Sequence, residues 1–447
     1  MAYIKIHRGS HQIGGCCTEI TVDDSKILID LGANLPGMEE EALITDDELC
    51  ERVFDDSKKQ AVLFSHYHGD HIGLYKKIPK GVDMYIGPLA KEILKIVTPY
   101  IDYSCDEKGI PIVENMIPYK VAKDNKIVEG IKVHPFYVDH SALDAYMFYI
   151  EAGGKKILFT GDFREHGICG EKDRLWRTID AYIPKDIDIL ITEGTMLSRT
   201  KEVAANVVKT EKELGLKAAE YFKQKKYNFV IVSSTNCDSI MEFYHNTPKG
   251  MQFVCDKYQA KIILTAMKGM EKKGYFKSYR TSNEQPAIYI LNYKEEKCKE
   301  LVELGKQLET PLEIKPANSS QMYENGFVML TRKNSFPENK NHVFTKILDK
   351  FYSTGNGQII YSMWNGYLEG DKADENLLRL INGRPIIELH TSGHAYVETI
   401  AKLIKAVNPK VIIPMHTECA DSFVKIEEFK EYHDRIVELQ DGEKYTL

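Results

Sequence analysis

The segment Ser65-His66-Tyr67-His68-Gly69-Asp70-His71 places three imidazoles and a carboxylate within seven positions. A turn after a strand can gather two imidazoles on one side and a carboxylate plus an imidazole on the other. That arrangement supplies partial shells for two adjacent divalent cations, each favouring nitrogen and oxygen donors. Gly69 lets the backbone turn tightly between them. A cluster of surface histidines is the bland alternative, and the His-x-His-x-Asp-His spacing argues against it. Two ions need further ligands. His140, in Val138-Asp139-His140-Ser141, is the natural third histidine. Asp162, in Thr160-Gly161-Asp162-Phe163, can bridge both ions through its two oxygens, and His416 completes the second set. Singly each is ordinary, since a lone histidine at a strand end is commonly structural. Together, in order and at the ends of apolar runs, they read as one metal site.

The elements that must position them are legible as short β-branched runs. Ile27-Leu28-Ile29-Asp30, Ala61-Val62-Leu63-Phe64-Ser65, Ile157-Leu158-Phe159-Thr160 and Asp188-Ile189-Leu190-Ile191-Thr192 are predicted buried strands. Each ends in a polar or metal-capable residue, where a rigid sheet presents exposed side chains. From about Lys201 the texture changes. Residues Val203 to Lys226 have a helical pattern, Phe229-Val230-Ile231-Val232 a strand pattern, and Asp238 to His245 a helical one with Asn236 or Asp238 as N-cap. This alternation runs to about Arg379 and predicts a second α/β domain. The first texture then returns: Pro385-Ile386-Ile387-Glu388-Leu389 is a predicted strand, followed by a helix through Val397, Ile400, Ala401 and Ile404, and by the strand Val411 to His416. The expected division is 1–200 and 380–447 for the first domain and 201–379 for the second.

Composition sets outer bounds. The chain has 447 residues, 43% hydrophobic and 28% charged, which suits a globular protein of two or three domains. No apolar run approaches the ~18 residues of a membrane span, and Met1 to His7 resembles a first strand rather than a signal peptide. The nine cysteines include no Cys-x-x-Cys pair, which disfavours a disulfide framework and points to the cytoplasm. Cys16 and Cys17 are expected as small buried hydrophobes. A net charge of −7 argues against a non-specific nucleic-acid coat protein but not against a local basic channel.

The series Asp30, His66/His68/Asp70/His71, His140 and Asp162 resembles the sequential motifs of the metallo-β-lactamase superfamily. Ile191-Thr192-Glu193-Gly194-Thr195, Ser392-Gly393-His394-Ala395 and Pro414-Met415-His416-Thr417-Glu418 resemble the acidic and two histidine motifs of its β-CASP branch, which contains ribonuclease J, the pre-mRNA 3′-end endonuclease and the DNA-processing Artemis group. The resemblance implies an α/β fold: a metallo-β-lactamase αββα sandwich with an inserted α/β β-CASP domain. It implies two zinc ions, with manganese as an alternative. His66, His68 and His140 would hold the first; Asp70, His71 and His416 the second; Asp162 would bridge. Asp30 would orient the ligand loop. Glu193 would hold His394 against the scissile phosphate. RNA-processing branches carry histidine at the last motif where the Artemis group typically carries valine, so His416 favours RNA. Glu193 stands where ribonuclease J tends to have aspartate and the 3′-end endonuclease has glutamate.

The implied reaction is in-line attack on phosphorus by a hydroxide formed between the two ions, assisted by Asp70, with His394 protonating the leaving oxygen. Weaker candidates for substrate contact are Ser233, Ser234, Thr235 and Asn236 at a helix start, Arg332 with Lys333, and Ser392 and Gly393. Helix capping explains the first group equally well. Tyr361, Trp364 and Tyr367 suit base stacking or, more simply, core packing. The triple-glycine stretch Gly9 to Gly15 is expected as a hairpin turn beside the metal site. The competing functions are a DNA nuclease, a hydrolase of a small molecule, and a non-catalytic RNA-binding subunit. Retention of all seven metal ligands disfavours the last. RNA is the expected partner, with no membrane. The sequence ends at Leu447, soon after His416, where ribonuclease J carries a C-terminal dimerisation domain, so a homodimer is left open without that support.

Overall fold

A computed structural model describes residues 1–35, 44–101, 109–120, 125–199, 208–272, 279, 286–333 and 343–447. The chain divides into two compact units, Met1–Lys95 with Glu107–Ala205 and Gly393–Leu447, and Ile96–Asp106 with Asn206–Ser392. Among the described residues no helix is long and apolar enough to cross a membrane.

The first unit is built on two sheets. One runs in spatial order Lys444–Thr446, Ala2–Arg8, Cys17–Val22, Ser25–Ile29, Lys59–Leu63, Asp83–Ile86, Ile117–Pro118; the other runs Val411–Met415, Ile189–Glu193, Lys155–Phe159, Ala145–Ala152, Ile131–Val138, Asn125–Val128. Their facing sides merge into one core, where Ile4, Ile20, Ile27 and Ile29 meet Val133, Phe148, Ile157 and Ile413. The second sheet's outer face packs on the apolar stripes of helices Arg174–Tyr182 and Val397–Val407 through Leu175, Ile179, Ile400, Leu403 and Ile404. Layered sheets under helices are the expected sandwich. Near the first sheet's edge, the buried Glu19 carboxylate accepts hydrogen bonds from Tyr3 Oη (2.7 Å), Thr21 Oγ1 (2.7 Å) and His7 Nε2 (2.8 Å).

The second unit holds a seven-stranded sheet, ordered Ile314–Pro316, Ile288–Ile290, Gln252–Cys255, Phe327–Thr331, Tyr227–Val232, Gly357–Ser362, Ile386–Glu388. Every pairing in it is parallel. Parallel strands need both faces covered, which explains why Tyr227–Val232 is buried throughout. The helix expected over 203–226 is seen as Glu211–Gln224, and 203–207 lie outside the described residues. The next helix is Cys237–His245, capped by Asn236.

Two boundaries differ from expectation. The return to the first unit comes at Gly393, not at residue 380. The strand at Ile386–Glu388, expected to lead back into the first domain, instead pairs with Gly357–Ser362 in the second unit's sheet. An apolar run states that it will be a strand but not which edge it will join.

Candidate metal centre

Most predicted ligands sit just past the end of a strand, and Asp70 and His71 lie in the short helix that follows one. Asp30 follows Ser25–Ile29, His66 and His68 follow Lys59–Leu63, and His71 lies in the short helix Gly69–Ile72 that His68 caps. His140 follows Ile131–Val138, Asp162 follows Lys155–Phe159, and His416 follows Val411–Met415. The fold brings His66, His68 and His140 together as one donor group, and His66, His71 and Asp162 as another. Asp162 is the hub. Its Oδ2 lies 3.1 Å from His71 Nε2, 3.8 Å from His66 Nε2 and 3.9 Å from His140 Nε2, and its Oδ1 lies 3.7 Å from His416 Nδ1. Asp70 Oδ2 is 3.4 Å from His416 Nε2 and 3.9 Å from His71 Nε2.

The hydrogen bonds decide which ring nitrogens are free. Ser65 Oγ donates to Asp30 Oδ2 at 2.8 Å, so it accepts from His66 Nδ1 at 3.0 Å. His71 Nδ1 donates to Asp30 Oδ2 at 2.8 Å. His140 Nδ1 donates to the Gly393 carbonyl at 2.6 Å. Thr195 Oγ1 donates to the His416 carbonyl at 3.2 Å and accepts from His416 Nδ1 at 2.7 Å. In His66 and His140 the proton is therefore on Nδ1 and Nε2 carries a lone pair, whereas His71 Nε2 and His416 Nε2 face the carboxylates of Asp162 and Asp70. His66 Nε2 and His71 Nε2 are buried without a hydrogen-bond partner. His140 Nε2 faces His68 Nδ1 at 3.2 Å. Buried imidazole nitrogens converging beside carboxylates form a donor set that suits zinc or a similar ion.

Charge follows the same logic. Burial pushes His66 and His140 well below the ordinary imidazole range, aided by neighbouring imidazoles, and burial takes His68 down to about 4. Neutral rings are what metal ligation requires. His71 moves the other way. Burial opposes its charge, but Asp162, Asp30 and Asp70 raise it well above the usual value. Those carboxylates call for positive charge, which a divalent cation supplies as well as a proton does.

Glu193 ends the strand Ile189–Glu193 fully buried. Its Oε2 takes a hydrogen bond from His394 Nδ1 at 2.9 Å, and its Oε1 accepts from the Phe163 and Ala395 amides. His394 Nδ1 is also 3.7 Å from Asp162 Oδ2. Burial works against a charged His394, but Glu193 and Asp162 raise it above the ordinary imidazole value.

The substrate-contact candidates fare differently. Ser233, Ser234, Thr235, Asn236, Arg332 and Ser392 lie on the second unit. Asn236 is committed to capping, accepting from Ser239 N, and Ser233 Oγ pairs with Thr235 Oγ1 at 3.1 Å. Arg332 is not a free cation: its Nε bonds Asp256 Oδ2 at 2.7 Å and its guanidinium stacks on Tyr258. Lys333 pairs with Asp374. Tyr361 is wholly buried in the core. Gly393 has a contact that the sequence did not foretell. Its carbonyl positions His140, and a Cβ there would lie 2.5 Å from Ser141 Oγ. The Gly9–Gly15 hairpin does abut the site, since Gly9 O accepts from His416 N at 2.6 Å.

Sequence reasoning missed Thr195 and Ser65 as partners of ligating rings, although both sit inside the motifs it singled out. It also missed Cys16, whose thiol lies within 4.8 Å of His71 and His416 nitrogens. Burial and the carboxylates Asp162, Asp70 and Asp30 push that thiol well up, so it stays protonated.

Residues 14–202 match the family model described as the metallo-beta-lactamase superfamily, and residues 380–433 match that of the Zn-dependent metallo-hydrolase RNA specificity domain. The chain is 30% identical over 204 residues to an RNase J-like protein of Methanocaldococcus jannaschii, covering 44% of this chain and 43% of the relative. It is 27% identical over 208 residues to endoribonuclease ysh1 of Schizosaccharomyces pombe, covering 44% and 26%. The match thus spans less than half the length of either relative. A solved structure of a protein of unknown function from Enterococcus faecalis V583 superposes with a TM-score of 0.69 at 20% identity, covering all of both chains.

Proposed function

The chain belongs to the metallo-β-lactamase superfamily, in its β-CASP branch, and we propose that it is a two-zinc ribonuclease hydrolysing RNA phosphodiester bonds. The observation that carries this reading is the Glu193–His394 pair, a carboxylate-held imidazole set beside the bridging Asp162. A metal-ligand set alone would serve many hydrolases; a positioned proton donor beside it suits expulsion of a poor oxygen leaving group. The match of residues 380–433 to an RNA specificity domain, which includes His394 and His416, favours RNA over DNA.

The roles divide as follows. His66, His68 and His140 would hold one ion, Asp70, His71 and His416 the other, and Asp162 both. Bound there, the ions supply Lewis acidity and a water of lowered pKa. Asp30 holds His71 and, through Ser65, His66, so the rings meet the ions already oriented. Glu193 orients the His394 ring, which would give its proton to the leaving oxygen. Most of these groups directly follow strands, while Asp70 and His71 sit in the short helix Gly69–Ile72 and His394 precedes the helix Val397–Val407.

Incubating the purified chain with 5′-labelled single-stranded RNA and matched DNA, with and without chelator, tests the reading. Chelator-sensitive cleavage of RNA is expected. Cleavage of DNA alone would overturn the substrate, and no cleavage by metal-loaded protein would overturn the nuclease. His394→Ala is expected to keep its metal and lose ~10²–10⁴-fold in turnover. Loss of metal in that variant would make His394 a ligand instead.

A further inference from the structure

The residues flanking two of the ligands form a second, wholly buried pair. Asp139 directly precedes His140, and Arg164 lies two positions after Asp162. Arg164 Nε bonds Asp139 Oδ1 at 3.0 Å, with the guanidinium fully buried and the carboxylate nearly so. The same two residues are also joined through the backbone, Arg164 N donating to Asp139 O at 2.7 Å in an isolated antiparallel bridge. Asp139 Oδ2 takes a further bond from Gly170 N. Gly167 and Gly170 close over the pair. A Cβ on Gly167 would lie 2.4 Å from Asp139 Oδ1 and 2.5 Å from an Arg164 nitrogen; one on Gly170 would lie 2.7 Å from Asp139 Oδ2.

Taking two charges out of water is costly, and an apolar pair of similar volume commonly holds a fold as well. What an apolar pair lacks is direction. A carboxylate and a guanidinium joined at fixed angles, with a backbone bridge beside them, set the spacing of the two loops that carry His140 and Asp162. Metal sites tolerate ligand displacements of only about 0.2 Å.

We propose that Asp139 and Arg164 are positioning residues for the metal centre, locking the His140 loop to the Asp162 loop. This rests on the reading that His140 and Asp162 hold metal. It goes beyond it by assigning a function to a pair outside the proposed ligand set.

The test is chelator-competition titration of zinc into the full chain. Asp139→Asn keeps the side chain's shape and removes its charge; Arg164→Gln removes the other half. Each is expected to weaken zinc binding by ~10–100-fold. The double variant, in which two amides can re-pair, is expected to lose less than the product of the single losses. Glu19→Gln, whose side chain bonds Tyr3, His7 and Thr21 and none of the proposed ligands, serves as the control for stability: melting temperature should fall while zinc affinity stays at the wild-type value. Wild-type affinity in both single variants overturns the proposal, as does an equal loss of affinity in the control, which would make the effect mere destabilisation. Wild-type protein that takes up no zinc removes the underlying reading and the proposal with it.

Discussion

Gly393 has no side chain, yet its carbonyl selects which nitrogen of His140 is free for a cation. The same service comes from Asp30 for His71 and from Thr195 for His416. These partners act without touching the ion, and each gives a prediction. Gly393→Ala would drive a methyl against Ser141 Oγ and pull the carbonyl off His140, so zinc affinity should fall ~10–100-fold with the second unit's fold intact. Wild-type affinity by chelator competition would refute this. Thr195→Val removes the hydroxyl but not the volume. It should lose zinc affinity by a similar factor, and Thr195→Ser should restore it. At this scale the ligands were legible because His-x-His-x-Asp-His compresses its information into six positions. The ring partners were not, because a carbonyl or a hydroxyl gains its role only when remote strands are brought side by side. Arg332 misled for the complementary reason: a basic residue after an apolar strand suits a phosphate until the fold supplies Asp256.

Strands do more than carry ligands, and the pairing of Ala2–Arg8 with Cys17–Val22 carries its own pH dependence. Glu19 is buried there, and burial alone would raise its carboxyl. The hydrogen bonds from His7, Thr21 and Tyr3 outweigh that and hold it well below the usual range. A carboxylate depressed in the folded state stabilises above its unfolded pKa of about 4.3, and that stabilisation is lost as pH falls through the folded value. Urea unfolding should therefore show wild type losing on the order of 2 kcal/mol more than Glu19→Gln does between neutral and strongly acidic pH. Parallel pH profiles for the two proteins would exclude the assignment. Element existence was mostly evident from period and β-branching, as at Ile189–Glu193 and Tyr227–Val232. Element partnership was not. The strand Ile386–Glu388 carries the same texture as those of the first unit and joins the second unit's sheet, because sheet membership is decided by chain path and edge availability.

For the molecule as a whole, the proposed metal ligands belong to one compact unit, while the parallel sheet belongs to the other. Calorimetry with and without chelator should reflect that division. Saturating zinc at about a thousand times its Kd adds roughly 4 kcal/mol to whatever unfolds with the site. We expect one transition to move with metal and another to stay; two transitions moving together would mean that the units unfold as one. A final consequence concerns time. The proposed ligands from His66 to Asp162 are all made early in synthesis, but His416 comes only after the whole second unit. At translation speeds of about 5–20 residues per second, a nascent chain spends tens of seconds with one histidine missing from its second ion set. A chain cut short anywhere in that interval would lack the last of the proposed ligands. The long chain path back to His416 thus acts as a delay, keeping the centre incomplete until most of the chain has been made.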